Sequence, residues 1–258
     1  MPEKDLFSLD GLVGVVIGGG GVLAGEMAMG LARAGADIAI VDVSEQGAEA
    51  RAAAIRALGR RAIGVKADAT KKSDLQASLE AVLAQLGRVD ILLNAAGVNS
   101  GTPFFEITEE EWDRILDIDL KSVFLACQVF GKQMVEAGRG GSVINISSAS
   151  SSPPLSKVFT YSVAKGGVNQ ITQFLAREWA PHNVRVNAIL PGFFPAEQNR
   201  KLLTAERTAS IVNHTPMARF GEASELVGAA VYLSSPQAAS FVTGSILRVD
   251  GGFLAMTI

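Results

Sequence analysis

Short apolar runs and longer amphipathic stretches alternate along nearly the whole chain. The strand candidates are Leu12–Ile17, Asp37–Val43, Ala62–Lys66, Val89–Asn94, Ser142–Ser147, Val184–Leu190 and Ile246–Val249. Between them lie helix candidates at Gly25–Ala34, Ser44–Leu58, Lys71–Leu86, Glu109–Glu136, Thr160–Ala180 and Ala223–Ser234. Ile38-Ala39-Ile40-Val41 is apolar at every position. A strand with one face in water alternates apolar and polar residues, so an unbroken run belongs to a strand covered on both faces. Strict strand–helix alternation then predicts one doubly wound α/β domain over residues 1–258. Its parallel seven-stranded sheet carries helices on both sides, a Rossmann arrangement.

Composition narrows the partners. The 258 residues include 23 basic and 26 acidic side chains, a net charge of −3, and 48% are hydrophobic. A core is affordable at that length and disorder is not expected. Duplex binding needs a basic face, so nucleic acid is not the expected partner. Leu226–Leu247 is the longest uncharged stretch, but seven polar or Pro positions interrupt it, so no membrane span is expected. Met1–Asp10 shows no apolar run behind a basic cluster, and Cys127 is the lone cysteine. A reducing, cytoplasmic setting follows as the expectation. Two histidines and one cysteine far apart make no recognisable metal site.

The first strand runs into Gly18-Gly19-Gly20-Gly21-Val22-Leu23-Ala24-Gly25 and then a helix. Glycines let backbone approach a phosphate, and a helix N-terminus offers free N–H groups and partial positive charge. Asp42 ends the second strand, 24 residues after Gly18. A carboxylate at about that spacing accepts from the ribose hydroxyls of NAD and repels the 2′-phosphate of NADP. No Arg or Lys follows within Val43–Ala50, so NAD is the expected cofactor. Ala67-Asp68-Ala69 and Asn94-Ala95-Ala96-Gly97 close later strands with small residues, against which a flat ligand can lie.

Tyr161 and Lys165 are four apart on a predicted helix and share a face. Free tyrosine ionises near pH 10, and a neighbouring ammonium favours the phenolate. Tyr161 can then exchange a proton with an alcohol or a carbonyl while hydride moves. Ser148, just past the fifth strand, can hydrogen-bond the reacting oxygen.

The glycine-rich turn, Asp42, Asn94–Gly97, Ser148, Tyr161-Ser162-Val163-Ala164-Lys165, Pro191-Gly192 and Asp250-Gly251-Gly252 stand in order over essentially the whole chain. In this the chain resembles the short-chain dehydrogenase/reductase family. The resemblance implies Tyr161 as acid/base, Lys165 as its modulator and a ribose ligand, and Ser148 as the oxygen-orienting residue. It implies a dinucleotide held by Gly18, Gly20, Gly21, Val22, Leu23, Asp42, Asp68, Ala69, Asn94, Ala96, Gly97, Pro191, Gly192 and Phe194. It also implies a homotetramer.

The loop Pro191–Gly221, with Gln198, Asn199, Arg200 and His214, resembles the D-mannonate oxidoreductase (fructuronate reductase) branch of that family. Gln198, Asn199 and Arg200 can pair with hydroxyls and a carboxylate. The expected reaction interconverts a secondary alcohol and a ketone on a small sugar acid such as D-mannonate or D-fructuronate. Another polyol or carbonyl substrate stays open, as does a nucleotide-binding protein with little turnover. The chain departs from the family at Ile17, usually Thr, at Val22 and Ala24, usually Gly, and at Ala95, often Asn. Asp119 stands where the family carries an Asn that anchors a proton-relay water, and is taken here as a fourth catalytic residue.

Overall fold

The computed structural model describes residues 5–195 and 204–256. Seven parallel strands form one sheet: β1 (Val13–Ile17), β2 (Asp37–Asp42), β3 (Ala62–Lys66), β4 (Ile91–Asn94), β5 (Gly141–Ile146), β6 (Val184–Pro191) and β7 (Ile246–Val249). Their order is β3-β2-β1-β4-β5-β6-β7. The chain reverses direction across the sheet between β1 and β4, where Ile17 pairs with Asn94. In open parallel sheets that crevice, at the carboxyl ends of the strands, is the place for a ligand.

The central strands are largely apolar because both faces are covered. Ile38, Ile40, Ile91 and Leu93 point into one core layer. Ala39, Val41 and Leu92, one residue out of phase, point into the other. Helices α1 (Val22–Arg33) and α2 (Glu45–Arg56) cover the first layer; α3 (Lys72–Leu86) covers the second. Ser44 caps α2, its hydroxyl accepting from the Gly47 N–H at 3.1 Å.

The stretch expected as one helix from Glu109 to Glu136 is interrupted. It consists of α4 (Glu109–Leu116), a π turn at Asp117–Lys121, α5 (Ser122–Ala126), a second π turn at Cys127–Gly131, and α6 (Lys132–Ala137). Single π turns inside α-helices recur at functional sites, and Asp119 lies in the first of these. Helix α7 (Phe159–Trp179) follows β5.

The loop expected over Pro191–Gly221 holds a helix, α8 (Ala205–His214), capped by the Thr204 hydroxyl. His214 is therefore the last residue of a helix, not a loop residue. Its Thr-Ala-Glu-Arg start carried an N-cap signal that the surrounding Pro and Gly residues obscured. Helix α9 (Val227–Ser234) completes the first layer. Among the described residues no helix is long and apolar enough to cross a membrane.

Candidate active site

A cavity of about 970 Å³ opens at the carboxyl ends of the strands. Gly18, Gly20 and Gly21 after β1, Asp42 ending β2, Asp68 and Ala69 after β3, and Ala96 and Gly97 after β4 all line it. So do Val22, Leu23, Ser148, Tyr161, Lys165, Pro191, Gly192 and Phe194. Residues scattered from position 18 to position 194 meet because every parallel strand ends at this edge.

The glycine turn is shaped by close approach. Gly18 has φ +76°, and a Cβ there would sit 2.7 Å from the Ala96 backbone nitrogen. A Cβ on Gly20 would come within 2.9 Å of Asp42 Oδ2. The Gly20 N–H donates to that same oxygen at 3.0 Å, and the Ser44 N–H donates to Asp42 Oδ1 at 2.9 Å. Asp42 therefore holds the turn as well as facing the cavity. Gly21 is the N-cap of α1, which has no side-chain cap and no acidic residue in its first turn. Its open N–H groups and positive end suit an anion. An uncapped helix, side chains excluded by contact and a carboxylate at the end of β2 together fit a dinucleotide.

Asn94 and Asp119 are placed differently from their sequence neighbours. The buried Asn94 amide donates to Asn145 Oδ1 at 2.9 Å, tying β4 to β5 beneath the cavity rather than lining it. Backbone spacing explains this: Asn94 and Asn145 are register partners whose side chains point into the core layer. The adjacent Cys127 thiol is buried and pushed up to about 12, which leaves it unreactive. Asp119 also stands behind the cavity wall. Its Oδ2 accepts from the Val98 N–H at 2.9 Å, and its Oδ1 is 3.4 Å from Lys165 Nζ. That contact is an ion pair without hydrogen-bond geometry, because Oδ1 makes no hydrogen bond. Asp119 thus touches Lys165, not the cavity.

Lys165 Nζ donates to the Ile146 carbonyl at 3.1 Å and lies 5.4 Å from the centre of the Tyr161 ring. The sequence led us to expect a phenol with lowered pKa. In the protein by itself the Tyr161 phenol is raised, because burial outweighs Lys165, and Asp119 adds to the rise. The Ser148 hydroxyl opposes it. Burial also raises the Asp119 carboxyl, against the pull of Lys165 and the Val98 N–H. Asp68 is held low by Thr70, whose hydroxyl donates to Asp68 Oδ1 at 2.7 Å.

Sequence reasoning missed two guanidinium groups: Arg114 on α4 and Arg207 on α8 both line the cavity. Gln198, Asn199 and Arg200 lie outside the described residues. Among the described residues no group of three His, Cys, Asp or Glu side chains is placed to hold a metal ion.

The family profile described as Enoyl-(Acyl carrier protein) reductase matches residues 21–254. The chain belongs to the short-chain dehydrogenase/reductase family. As a member it is an oxidoreductase acting on CH–OH groups with a nicotinamide cofactor. Among its relatives, 2-dehydro-3-deoxy-D-gluconate 5-dehydrogenase of Escherichia coli is 38% identical over 250 residues, covering 96% of this chain and 98% of that one. A gluconate 5-dehydrogenase from Burkholderia cenocepacia, solved with NADP and tartrate, superposes with TM-score 0.94 at 32% identity, covering 98% and 99% of the two chains. A provisionally assigned D-mannonate oxidoreductase from Haemophilus influenza with bound NAD gives TM-score 0.91 at 31% identity, covering 97% of each chain. This dehydrogenase thus sits among sugar-acid enzymes that differ in cofactor.

Proposed function

We propose that this chain interconverts a secondary hydroxyl and a ketone on a sugar acid of the gluconate class, using NAD(H). The single observation that carries the chemistry is that Ser148, Tyr161 and Lys165 line one cavity with the glycine turn and Asp42. Two of the three relatives above carry gluconate and a 5-position in their names, against one with mannonate, so gluconate-type acids replace mannonate as the leading substrate. A nicotinamide cofactor held by the glycine turn and Asp42 would supply the hydride donor and acceptor. The chain supplies the rest. Tyr161 Oη takes the hydroxyl proton during oxidation and returns it to the ketone oxygen in reduction. Ser148 Oγ hydrogen-bonds that oxygen, and the Lys165 ammonium favours the phenolate.

For NAD(H) over NADP(H), the support is Asp42 together with its lining neighbours Val43, Ser44 and Gly47, none of them basic. Among the described lining residues at that end, a 2′-phosphate would meet a carboxylate and no cation. We also propose one nucleotide-binding domain, because a single sheet serves both core layers. A homotetramer is supported by exposed aromatic side chains on the α5 and α7 face, with Phe124 47% and Phe174 56% exposed.

The test follows NADH oxidation by the purified protein with 5-keto-D-gluconate and, in parallel, D-fructuronate. The expected result is saturable oxidation, faster with the keto-gluconate, and lost by about 10²–10⁴-fold in Tyr161→Phe. Equal rates in wild type and Tyr161→Phe would overturn the assignment of Tyr161.

A further inference from the structure

Arg207 occupies the first turn of α8, where its backbone N–H donates to the Thr204 hydroxyl at 3.2 Å. Its half-buried guanidinium lines the cavity. Nη2 donates to the Ser156 carbonyl at 3.1 Å, and Nη1 reaches the Ser156 hydroxyl at 3.5 Å. Ser156 lies five residues before Tyr161 in the loop between β5 and α7. Its neighbours Leu155 and Val158 are cavity wall. The guanidinium is thus tethered to the segment that delivers the phenol.

That tether uses few of the five N–H groups an arginine offers. Among the described residues neither Arg207 nor Arg114, the two cavity guanidinium groups, forms an ion pair, whereas Arg51, Arg56, Arg60, Arg61, Arg88 and Arg219 have acidic partners. The cation nearest the phenol, Lys165, is already engaged by Asp119 and the Ile146 carbonyl. A held guanidinium with donors to spare, at the edge of a partly apolar cavity, matches the planar fork of a carboxylate.

We propose that Arg207 binds the substrate carboxylate and is the residue that makes the site prefer sugar acids to neutral ketoses. This rests on the sugar-acid reading given above. It assigns the anionic end of the substrate to α8 and the reacting carbon to Ser148 and Tyr161. Arg114 is the alternative anchor. It stands on α4, close enough to Asp119 for its charge to act on that carboxyl, and among the described residues no hydrogen bond joins it to the loop before Tyr161.

The experiment compares kcat/KM for 5-keto-D-gluconate with that for D-fructose, a neutral ketose, in wild type, Arg207→Gln, Arg207→Lys and Arg114→Gln. NADH binding, followed by fluorescence, confirms that each variant is folded. In Arg207→Gln the acid-to-ketose ratio should fall by about 30-fold, mostly through KM for the acid. Arg207→Lys should recover part of the ratio, because charge returns without the bidentate fork. Arg114→Gln should leave the ratio nearly unchanged. If Arg207→Gln fails to bind NADH, the ratio in Arg207→Lys decides. A ratio insensitive to Arg207, or one carried by Arg114, overturns the proposal and leaves the sugar-acid reading standing. A wild type that reduces no keto acid overturns both.

Discussion

The Lys165 ammonium and the Asp119 carboxylate form an ion pair at 3.4 Å with side chains only 4% and 0% exposed. Asp119 reaches Lys165 from the π turn between α4 and α5. Lys165 Nζ also lies 5.4 Å from the centre of the Tyr161 ring. A negative charge is thus paired with the positive one that favours the phenolate. Asp119 therefore works against ionisation of Tyr161 through Lys165 and through its own field.

This sets a kinetic expectation for Asp119→Asn. Removing the charge lowers the Tyr161 pKa, so the rising limb of alcohol oxidation moves to lower pH. At neutral pH oxidation should speed several-fold. The measurement is kcat/KM for alcohol oxidation against pH, which reports groups of the free enzyme. A superimposable profile would show that Asp119 has no influence on the phenol.

The same substitution has a stability signature of definite sign. Burial raises the Asp119 carboxyl above its ordinary 3.8. The folded protein thus binds this proton more tightly than the unfolded chain. The resulting stabilisation is full below 3.8 and is lost as pH rises through the raised value. Asn has no such dependence. Relative to wild type, Asp119→Asn should gain Tm as pH rises above 3.8 and through the raised value, and the gain should level off beyond it. Calorimetry at a series of pH values reads this, and a constant Tm difference would refute it.

Asp42→Asn tests the cofactor assignment while keeping the shape of the side chain. The ratio of kcat/KM for NADPH over NADH should rise by about tenfold or more, because like-charge juxtaposition costs several kcal/mol. The turn should loosen as well, since one amide oxygen cannot replace two carboxylate oxygens that accept from Gly20 and Ser44. A wild type that already prefers NADPH would assign the ribose end of the cavity differently.

Gly18→Ala should cost both stability and cofactor binding. The residue sits at φ +76°, and its new methyl would meet backbone, which cannot swing away as a side chain can. A loss on the order of 1–3 kcal/mol is expected in denaturant titrations, with weaker NADH binding. Gly59→Ala is the control: it has φ +82° with nothing within 4 Å, so it carries the backbone cost without the collision.

Phe124→Glu addresses assembly. The side chain is half exposed beside a shallow groove lined by Leu116, Leu120 and Ile171. If that face packs between subunits, sedimentation should show a smaller particle than wild type. An unchanged mass would remove this face from the interface.

The sequence was most informative where chemistry is local. Continuous apolar runs marked the central strands, because burial on both faces leaves few polar positions there to confuse the pattern. The glycine turn, Asp42, and the spacing of Tyr161 and Lys165 were legible for the same reason: each needs a particular residue at a strand end or a helix turn. What the sequence could not decide depends on burial and on contacts between distant segments. Asn94 turned inward because its register partner is Asn145. Tyr161 has a raised pKa because desolvation, which no spacing reveals, exceeds the effect of Lys165. Arg207 joined the cavity only because α8 folds back onto Ser156, 51 residues away in sequence. Propensity and pattern act over a few residues; the electrostatics of a site are decided by which segments the tertiary fold removes from water together.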